Sequence, residues 1–311
     1  VKRVLITGSN GLLGQKVVEI FANCNAYNLL LTSRQPESVF EEGFLPYVSL
    51  DVSQKPRVRA VIEEFEPDII INTAAMTDVD KCETDREAAW HANVSSVENL
   101  VHSAKLSGAK LVHISTDYVF DGKAGPYNEL DRPNPLSYYG RTKLAGENLI
   151  RTSGVDHAII RTMVLYGMGF NVKLNFALWL LKNLSEEKPV RIVDDQIANP
   201  TLAEDLAHAI LRIVELERGG LYHVAGTDLV SRYDFALMFA KIFSCNKKLI
   251  TPIKTSSLKQ AAARPLKSGF ITLKAETDLG VKMYGMERGL TMLKNQLQTH
   301  IRNFSESKAG S

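Results

Sequence analysis

The sequence predicts an α/β protein: a doubly wound parallel sheet followed by a smaller, mostly helical lobe. Three observations carry this. Apolar runs of strand length alternate with amphipathic stretches of helix length through the first half of the chain, the pattern of parallel strands with helices on both faces. A glycine-spaced turn, with Gly8, Gly11 and Gly14, separates the first strand from the first helix. After about Arg161 the texture changes to helices interrupted by short strands. The expected division is 1–165 for the sheet domain, 166–300 for the lobe, and 301–311 for a disordered tail. Parts of the lobe can return to the sheet.

Strands are expected at Val4–Thr7, Leu29–Thr32, Tyr47–Leu50, Ile69–Asn72, Leu111–Ile114 and Ala158–Arg161. The clearest helices between them are Leu12–Phe21, Val58–Phe65, Ala88–Leu106 and Tyr139–Arg151. Ser33–Pro46 has no helical period and reads as a loop. Asp121–Pro135 is a long connection containing prolines, which inside a compact domain points to function. In the lobe, helices are expected at Leu174–Leu184, Leu202–Glu215, Tyr233–Phe243 and Arg288–Leu297, with strands near Val190–Val193 and Leu221–Val224. Such a lobe would cover the carboxyl ends of the strands, where doubly wound sheets bind ligands.

Composition narrows the function. Thirty-seven basic and 35 acidic side chains leave a net charge of +2, with the basic residues dispersed. That balance argues against a nucleic-acid surface or a polybasic membrane anchor. Apolar residues make up 45%, enough for a sizeable core, and no run reaches the length of a membrane span. The three cysteines, Cys24, Cys82 and Cys245, are too scattered for a disulfide framework or a zinc site. A reducing, cytoplasmic setting is expected, with no leader before the strand-like VKRVLIT. The histidines show no metal-ligand spacing, and no bound metal is expected. Ser115 lacks a nucleophile setting. The Glu41-Glu42 and Glu186-Glu187 pairs read as solvated loops.

Residues 7–14, Thr-Gly-Ser-Asn-Gly-Leu-Leu-Gly, follow a strand and open a helix. Gly8 permits the tight turn, Gly11 lets N–H groups approach a pyrophosphate, and Gly14 lets the helix lie close to the sheet. The helix N-terminus then favours the anion. A Rossmann-type dinucleotide site is expected here, with Gly8, Asn10, Gly11, Leu12 and Leu13 around the phosphates. The second strand ends without the acidic residue that holds the ribose of NAD. Ser33 and Arg34 stand there instead and suit the 2′-phosphate of NADP, with NAD as the alternative cofactor. Arg34 could equally be a solvated loop residue. Asp51 and Val52 follow the third strand and are placed to bracket adenine. Ala74, Ala75, Met76 and Thr77 follow the fourth.

Of ten tyrosines, only Tyr139 has a lysine four residues later, Lys143, which puts both on one helix face. Upstream, the strand at Leu111–Ile114 ends in Ser115-Thr116-Asp117. Ketone reduction needs a hydride and a proton. Tyrosine ordinarily titrates at about 10, and moving it to about 7 takes about 4 kcal/mol. One cation ~4 Å away at an effective dielectric of ~20 supplies about that amount. The expected set is therefore Thr116 to orient the carbonyl, Tyr139 as acid, and Lys143 to lower the tyrosine and hold the cofactor ribose.

These residues resemble the extended short-chain dehydrogenase/reductases, and among them the dTDP-4-dehydrorhamnose reductase family. The resemblance runs from about Lys2 to Gln298. It rests on TGSNGLLG at 7–14, NTAAMTDVDKCE at 72–83, STDYVFDG at 115–122, YGRTKLAGE at 139–147, RTMVLYG at 161–167, DDQIANPT at 194–201 and the ARP of Ala263–Pro265. It implies a sheet of about seven strands and reduction of the 4-keto group of a dTDP-linked deoxyhexose, the last step to dTDP-L-rhamnose. It also implies Thr116, Tyr139 and Lys143 as catalytic residues, cofactor contacts at Gly11, Leu12, Leu13, Asp51, Val52, Ala75, Met76 and Thr77, and substrate contacts at Thr116, Asp117 and Val164. Val164 stands where many members have a tryptophan. Lys16 stands where some members have a carboxylate that binds magnesium at a dimer contact, so no such bridge is expected. A homodimer remains an expectation. Arg264, stiffened by Pro265, is a candidate for the substrate diphosphate. Two alternatives stay open: a cofactor-binding regulatory subunit like the beta subunit of methionine adenosyltransferase, and a nucleotide-sugar epimerase or dehydratase.

Overall fold

In the computed structural model, residues 1–41 and 43–309 are described, with side chains described as far as Thr299. Glu42 of the Glu41-Glu42 pair lies outside the described residues. The chain alternates as expected through its first half. β1 (Lys2–Thr7) leads through the glycine turn into α1 (Leu12–Ala22), then β2 (Tyr27–Ser33) and β3 (Tyr47–Ser49). The connection from β2 to β3 has no helix among its described residues. α2 (Lys55–Phe65) starts with proline in its first turn and ends on a left-handed Glu66, and leads into β4 (Ile69–Asn72).

The Ala88–Leu106 helix is present; it begins at Arg86 and passes through a π-helical turn. The structure has α3 (Val79–Thr84), α4 (Arg86–Trp90), a π-helical turn at His91–Ser95 and α5 (Ser96–Ser107). Asn93 sits in that turn, and its side-chain amide bonds outside the helix. β5 (Lys110–Thr116), α6 (Tyr138–Thr152) and β6 (His157–Thr162) follow.

The second half is divided between the two bodies. β7 (Leu165–Tyr166), α7 (Phe176–Ser185), β8 (Val190–Val193), β9 (Ile197–Ala198) and β10 (Thr201–Leu202) build toward the lobe. The chain then returns. α8 (Ala203–Glu215) packs on α1, and β11 (Gly220–His223) pairs with β6 as the seventh strand. After the first entry into the lobe, α8 and β11 thus lie with the sheet. The reason is the strongly amphipathic face of α8, whose Leu206, Ala207, Ile210, Ile213 and Val214 cover the sheet beside Val17 and Phe21. β12 (Val230–Ser231), α9 (Arg232–Phe243), β13 (Ile250–Ile253), α10 (Leu273–Leu279) and α11 (Met286–Ala309) complete the order. A capping box between Ser231 and Asp234 starts α9. The backbone of α11 runs to Ala309, so the expected tail at 301–311 falls partly on this helix and, at 310–311, outside the described residues.

All seven strands of the main sheet are parallel, in the order β11-β6-β5-β4-β1-β2-β3. The direction of winding reverses between β1 and β4, so their carboxyl ends form the crevice of the fold. One core, with α1, α8 and α10, covers one face, and a second, with α2, α5 and α6, covers the other. A third, from α7, α9, β8, β13 and α11, belongs to the lobe. The long Asp121–Pro135 connection is the seam between bodies. Tyr127 stacks on Phe120 at 4.1 Å and pairs through its backbone with Phe270.

Candidate active site

The glycine turn is built for close approach. Gly8 has φ +70°, and a Cβ there would lie 2.8 Å from the Ala74 nitrogen. A Cβ on Gly14 would collide with the Gly8 carbonyl. Gly11 caps α1, and no side chain satisfies the first-turn N–H groups. That donor set, uncapped and at the switch point of the sheet, suits a pyrophosphate. Leu12 and Leu13 stand in this first turn, as expected. Asn10 does something else with its side chain. Its Nδ2 donates to Gln35 Oε1 at 2.5 Å and to the Glu37 carbonyl at 2.8 Å, which pins the loop after β2 against the glycine turn.

Ser33 is buried at the end of β2, and its hydroxyl is bonded to the Tyr47 hydroxyl at 2.8 Å. It supports the turn rather than facing outward. Arg34 is exposed beside it. Asp51 accepts from the amide and hydroxyl of Ser53 at 2.9 and 2.8 Å, while Asn99 holds the Val52 carbonyl at 3.1 Å. Ala74, Ala75, Met76 and Thr77 leave the end of β4 beside the glycine turn. Met76 is held at both its amide and its carbonyl by Asn93, at 2.9 and 3.0 Å, and Asn93 also donates to Thr142 on α6 at 3.1 Å. Asn93 thereby ties the β4 loop to the helix of Tyr139. It was not legible from the sequence, because its partners lie on the β4 loop and on α6, far along the chain.

Ser137 caps α6, so Tyr139 and Lys143 project from its first two turns toward β5. Tyr139 and Thr116 are both buried and lie close enough for the Thr116 hydroxyl to act on the phenol. Burial dominates and raises the Tyr139 phenol above its ordinary value. Lys143 does not counter this. Its Nζ donates to the Ile114 carbonyl at 2.7 Å and faces His113 Nε2 at 3.3 Å. Burial brings the lysine down to about 8. The expected lowering of Tyr139 toward neutrality by Lys143 is therefore absent in this geometry, because desolvation dominates and the lysine amine is turned to the β5 backbone. Tyr139 is instead kept protonated, the form that a proton donor needs.

The next turn of α6 carries Glu147. It is fully buried, accepts from Ser115, and pairs with Arg161 at 2.9 Å through Nε and 2.6 Å through Nη2. Arg161 also lies over Phe120 and faces His223. The +8 spacing from Tyr139 was the available signal for Glu147. Nothing in the sequence identified its arginine.

Asp117 is buried, accepts from Ser268 at 2.6 Å and from Thr116 at 3.1 Å, and is pushed up to about 6 by burial. It links the catalytic strand to the lobe. Val164 has φ +43°, a strained conformation for a β-branched residue, and lies against the seam cluster.

Next to Tyr139, whose ring meets Tyr118 edge-on at 5.5 Å, a cleft of about 390 Å³ opens between the bodies. Val79, Tyr118, Trp179, Arg191, Arg232 and Arg264 are among its walls. Arg264 does reach this cleft, but its guanidinium is held by Asp80 at 2.7 and 3.1 Å and by the Ala262 carbonyl at 2.9 Å. The counter-ion, Asp80 on α3, could not be paired with it from sequence. Arg232 lies over Phe176 and has no side-chain hydrogen bond among the described residues. Lys16 is paired with Glu19 and Glu204 at 3.0 and 3.2 Å. No described helix is long and apolar enough to cross a membrane.

The winding order, the uncapped glycine turn and the Thr116-Tyr139-Lys143 set define a class: the NAD(P)-dependent oxidoreductases of the extended short-chain dehydrogenase/reductase type. Within it, the chain belongs to the RmlD substrate binding domain family, whose model matches residues 2–299. It is 32% identical over 304 residues to a dTDP-4-dehydrorhamnose reductase of Aggregatibacter actinomycetemcomitans, covering 94% of this chain and 98% of the relative. It is 31% identical over 286 residues to methionine adenosyltransferase 2 subunit beta of Mus musculus, covering 90% and 83%. A crystal structure of dTDP-4-dehydrorhamnose reductase from Bacillus anthracis in complex with NADP superposes with a TM-score of 0.86 at 32% identity, covering 95% of this chain and 99% of that one.

Proposed function

We propose that the protein reduces the 4-keto group of a dTDP-linked deoxyhexose, of the dTDP-4-dehydrorhamnose type, with NADPH as the reductant and NADH as the alternative. The observation that carries this reading is the buried Thr116–Tyr139 pair set behind Tyr118, which walls an arginine-lined cleft. A dinucleotide bound at the glycine turn supplies a hydride. The first-turn N–H groups of α1 would hold its pyrophosphate, and Arg34 would meet a 2′-phosphate. Thr116 would donate to the ketone oxygen. Tyr139, kept protonated by burial, would deliver the proton to the forming alkoxide. Arg232 and Arg191 would face the substrate diphosphate, with Arg264 as a wall braced by Asp80. The NADP-bound relative and the dTDP-4-dehydrorhamnose reductases support the same choice of ligands.

The test is oxidation of NADPH by the full chain with a dTDP-4-ketohexose. Tyr139→Phe should lose at least ~100-fold in kcat while binding NADPH nearly as well. Normal reduction by Tyr139→Phe overturns the assignment of the acid. A second reading, a cofactor-binding subunit without turnover, is supported by the likeness to the methionine adenosyltransferase subunit and by Lys143 being turned to the Ile114 carbonyl. Cofactor binding with no turnover on any 4-ketohexose would favour it.

A further inference from the structure

The sheet register sets Thr7, Asn72 and His113 side by side on β1, β4 and β5. Their buried side chains form a chain whose hydrogens can be assigned. The Ala74 N–H donates to Asn72 Oδ1 at 3.2 Å, and a backbone N–H can only donate. This fixes the oxygen side of Asn72, with the Thr7 hydroxyl on the same oxygen at 2.6 Å. Asn72 Nδ2 therefore points at His113 Nδ1, at 3.0 Å, and Nδ1 must accept. Burial holds His113 neutral, well below its ordinary value. Its single proton then sits on Nε2, which faces Lys143 Nζ at 3.3 Å.

That contact cannot be satisfied by a charged lysine. An ammonium sets donor against donor. An uncharged amine accepts the Nε2 proton on its lone pair and still donates to the Ile114 carbonyl at 2.7 Å. We propose that the Ala74–Asn72–His113 chain sets the protonation state of Lys143, and that binding of the dinucleotide draws a proton from solvent onto Lys143. The second half rests on the reading of Lys143 as a cofactor contact. The proton comes from the buffer and adds to the Nζ lone pair; no other bond forms or breaks. His113 is thus a positioning residue that acts through the lysine.

The other titratable groups around Lys143 are accounted for. Glu147 and Tyr139 lie on its own helix and Cys82 on α3. Glu147 favours the charged lysine, but its carboxylate is already held by Arg161. Burial keeps Tyr139 protonated and pushes the Cys82 thiol up to about 11, so neither brings a negative charge near neutrality. Lys143 comes down to about 8 in these surroundings.

The test is calorimetric titration of the full chain with NADPH in buffers of different ionisation enthalpy, which counts protons taken up on binding. Above the free-protein value of about 8, wild type should take up close to one proton per NADPH. In His113→Gln the carboxamide oxygen can face the ammonium, and uptake at the wild-type maximum should fall by at least about half. Lys143→Met should abolish it. Equal uptake by wild type and His113→Gln, or uptake that persists in Lys143→Met, overturns the proposal. NADPH binding without proton uptake overturns this inference and leaves the proposed function standing. Failure to bind NADPH or NADH overturns the proposed function. The free-state half is then read from the ¹⁵N resonance of Lys143 Nζ against pH: a midpoint in the ordinary lysine range, above about 10, overturns it independently.

Discussion

Two polar rows cross the sheet beneath α6, one turn of helix apart. The row of Ser115, Arg161 and His223 meets Glu147, and the row of Thr7, Asn72 and His113 meets Lys143. Both end at a fully buried charge-bearing side chain. Glu147 meets a guanidinium in two hydrogen bonds and has its counter-ion in place. Lys143 meets a carbonyl and an imidazole N–H and has none in contact. The difference is that between a fixed charge and an adjustable one. Burial makes each charge costly, and only the bidentate partner offsets that cost. The first row can therefore anchor the helix, and the second can respond to a ligand.

The cleft arginines repeat the contrast. Arg264 has its carboxylate, Asp80, in hydrogen-bond contact, whereas Arg232 lies over the ring of Phe176 and has no carboxylate bonded to it among the described residues. Side chains that have partners should matter for stability, and those that lack them should matter for binding.

The largest effect that can break this comparison is at the anchor. Arg161→Leu leaves Glu147 buried without its cation and should destabilise the fold by about 3–5 kcal/mol in urea unfolding. Adding Glu147→Leu should recover much of that loss, because the unpaired charge is then gone. If Arg161→Leu unfolds at the wild-type midpoint, the row is no anchor. Next in size are the two arginines. Arg232→Ala should raise KM for a nucleotide-linked ketone by about 10-fold, the scale of one charge-assisted bond, with little change in Tm. Arg264→Ala should lower Tm by a few degrees through loss of the tie to α3, with the smaller change in KM. The reverse pattern would return the diphosphate to Arg264.

The smallest effect is at Asp117, whose carboxyl is raised from 3.8 to about 6 by burial. The folded state holds that proton more tightly than the unfolded state does. Its contribution is present below 3.8 and is lost as pH rises through about 6. Stability of wild type relative to Asp117→Asn should therefore fall across that window and level off above it. A pH-independent difference between the two unfolding curves would show that the hydrogen bonds from Ser268 and Thr116 fully offset the burial.

The sequence by itself determined the alternation of strands and helices, the glycine turn at the end of β1, and the placing of Tyr139 and Lys143 on one face of α6. All three are local. They follow from which face of an element is apolar and from the spacing of a few residues along it. The tertiary structure decided the rest. It put a π-helical turn into the Ala88–Leu106 helix around Asn93, whose side-chain amide finds its partners on the β4 loop and α6. It returned α8 and β11 to the sheet domain, where the periodicity alone could assign them to either body. It also set the charges, paired Arg264 with Asp80, and turned Lys143 from the Tyr139 phenol to the Ile114 carbonyl. The protonation of a buried group depends on desolvation and on neighbours brought from distant strands, and neither is written in the spacing of residues along one helix.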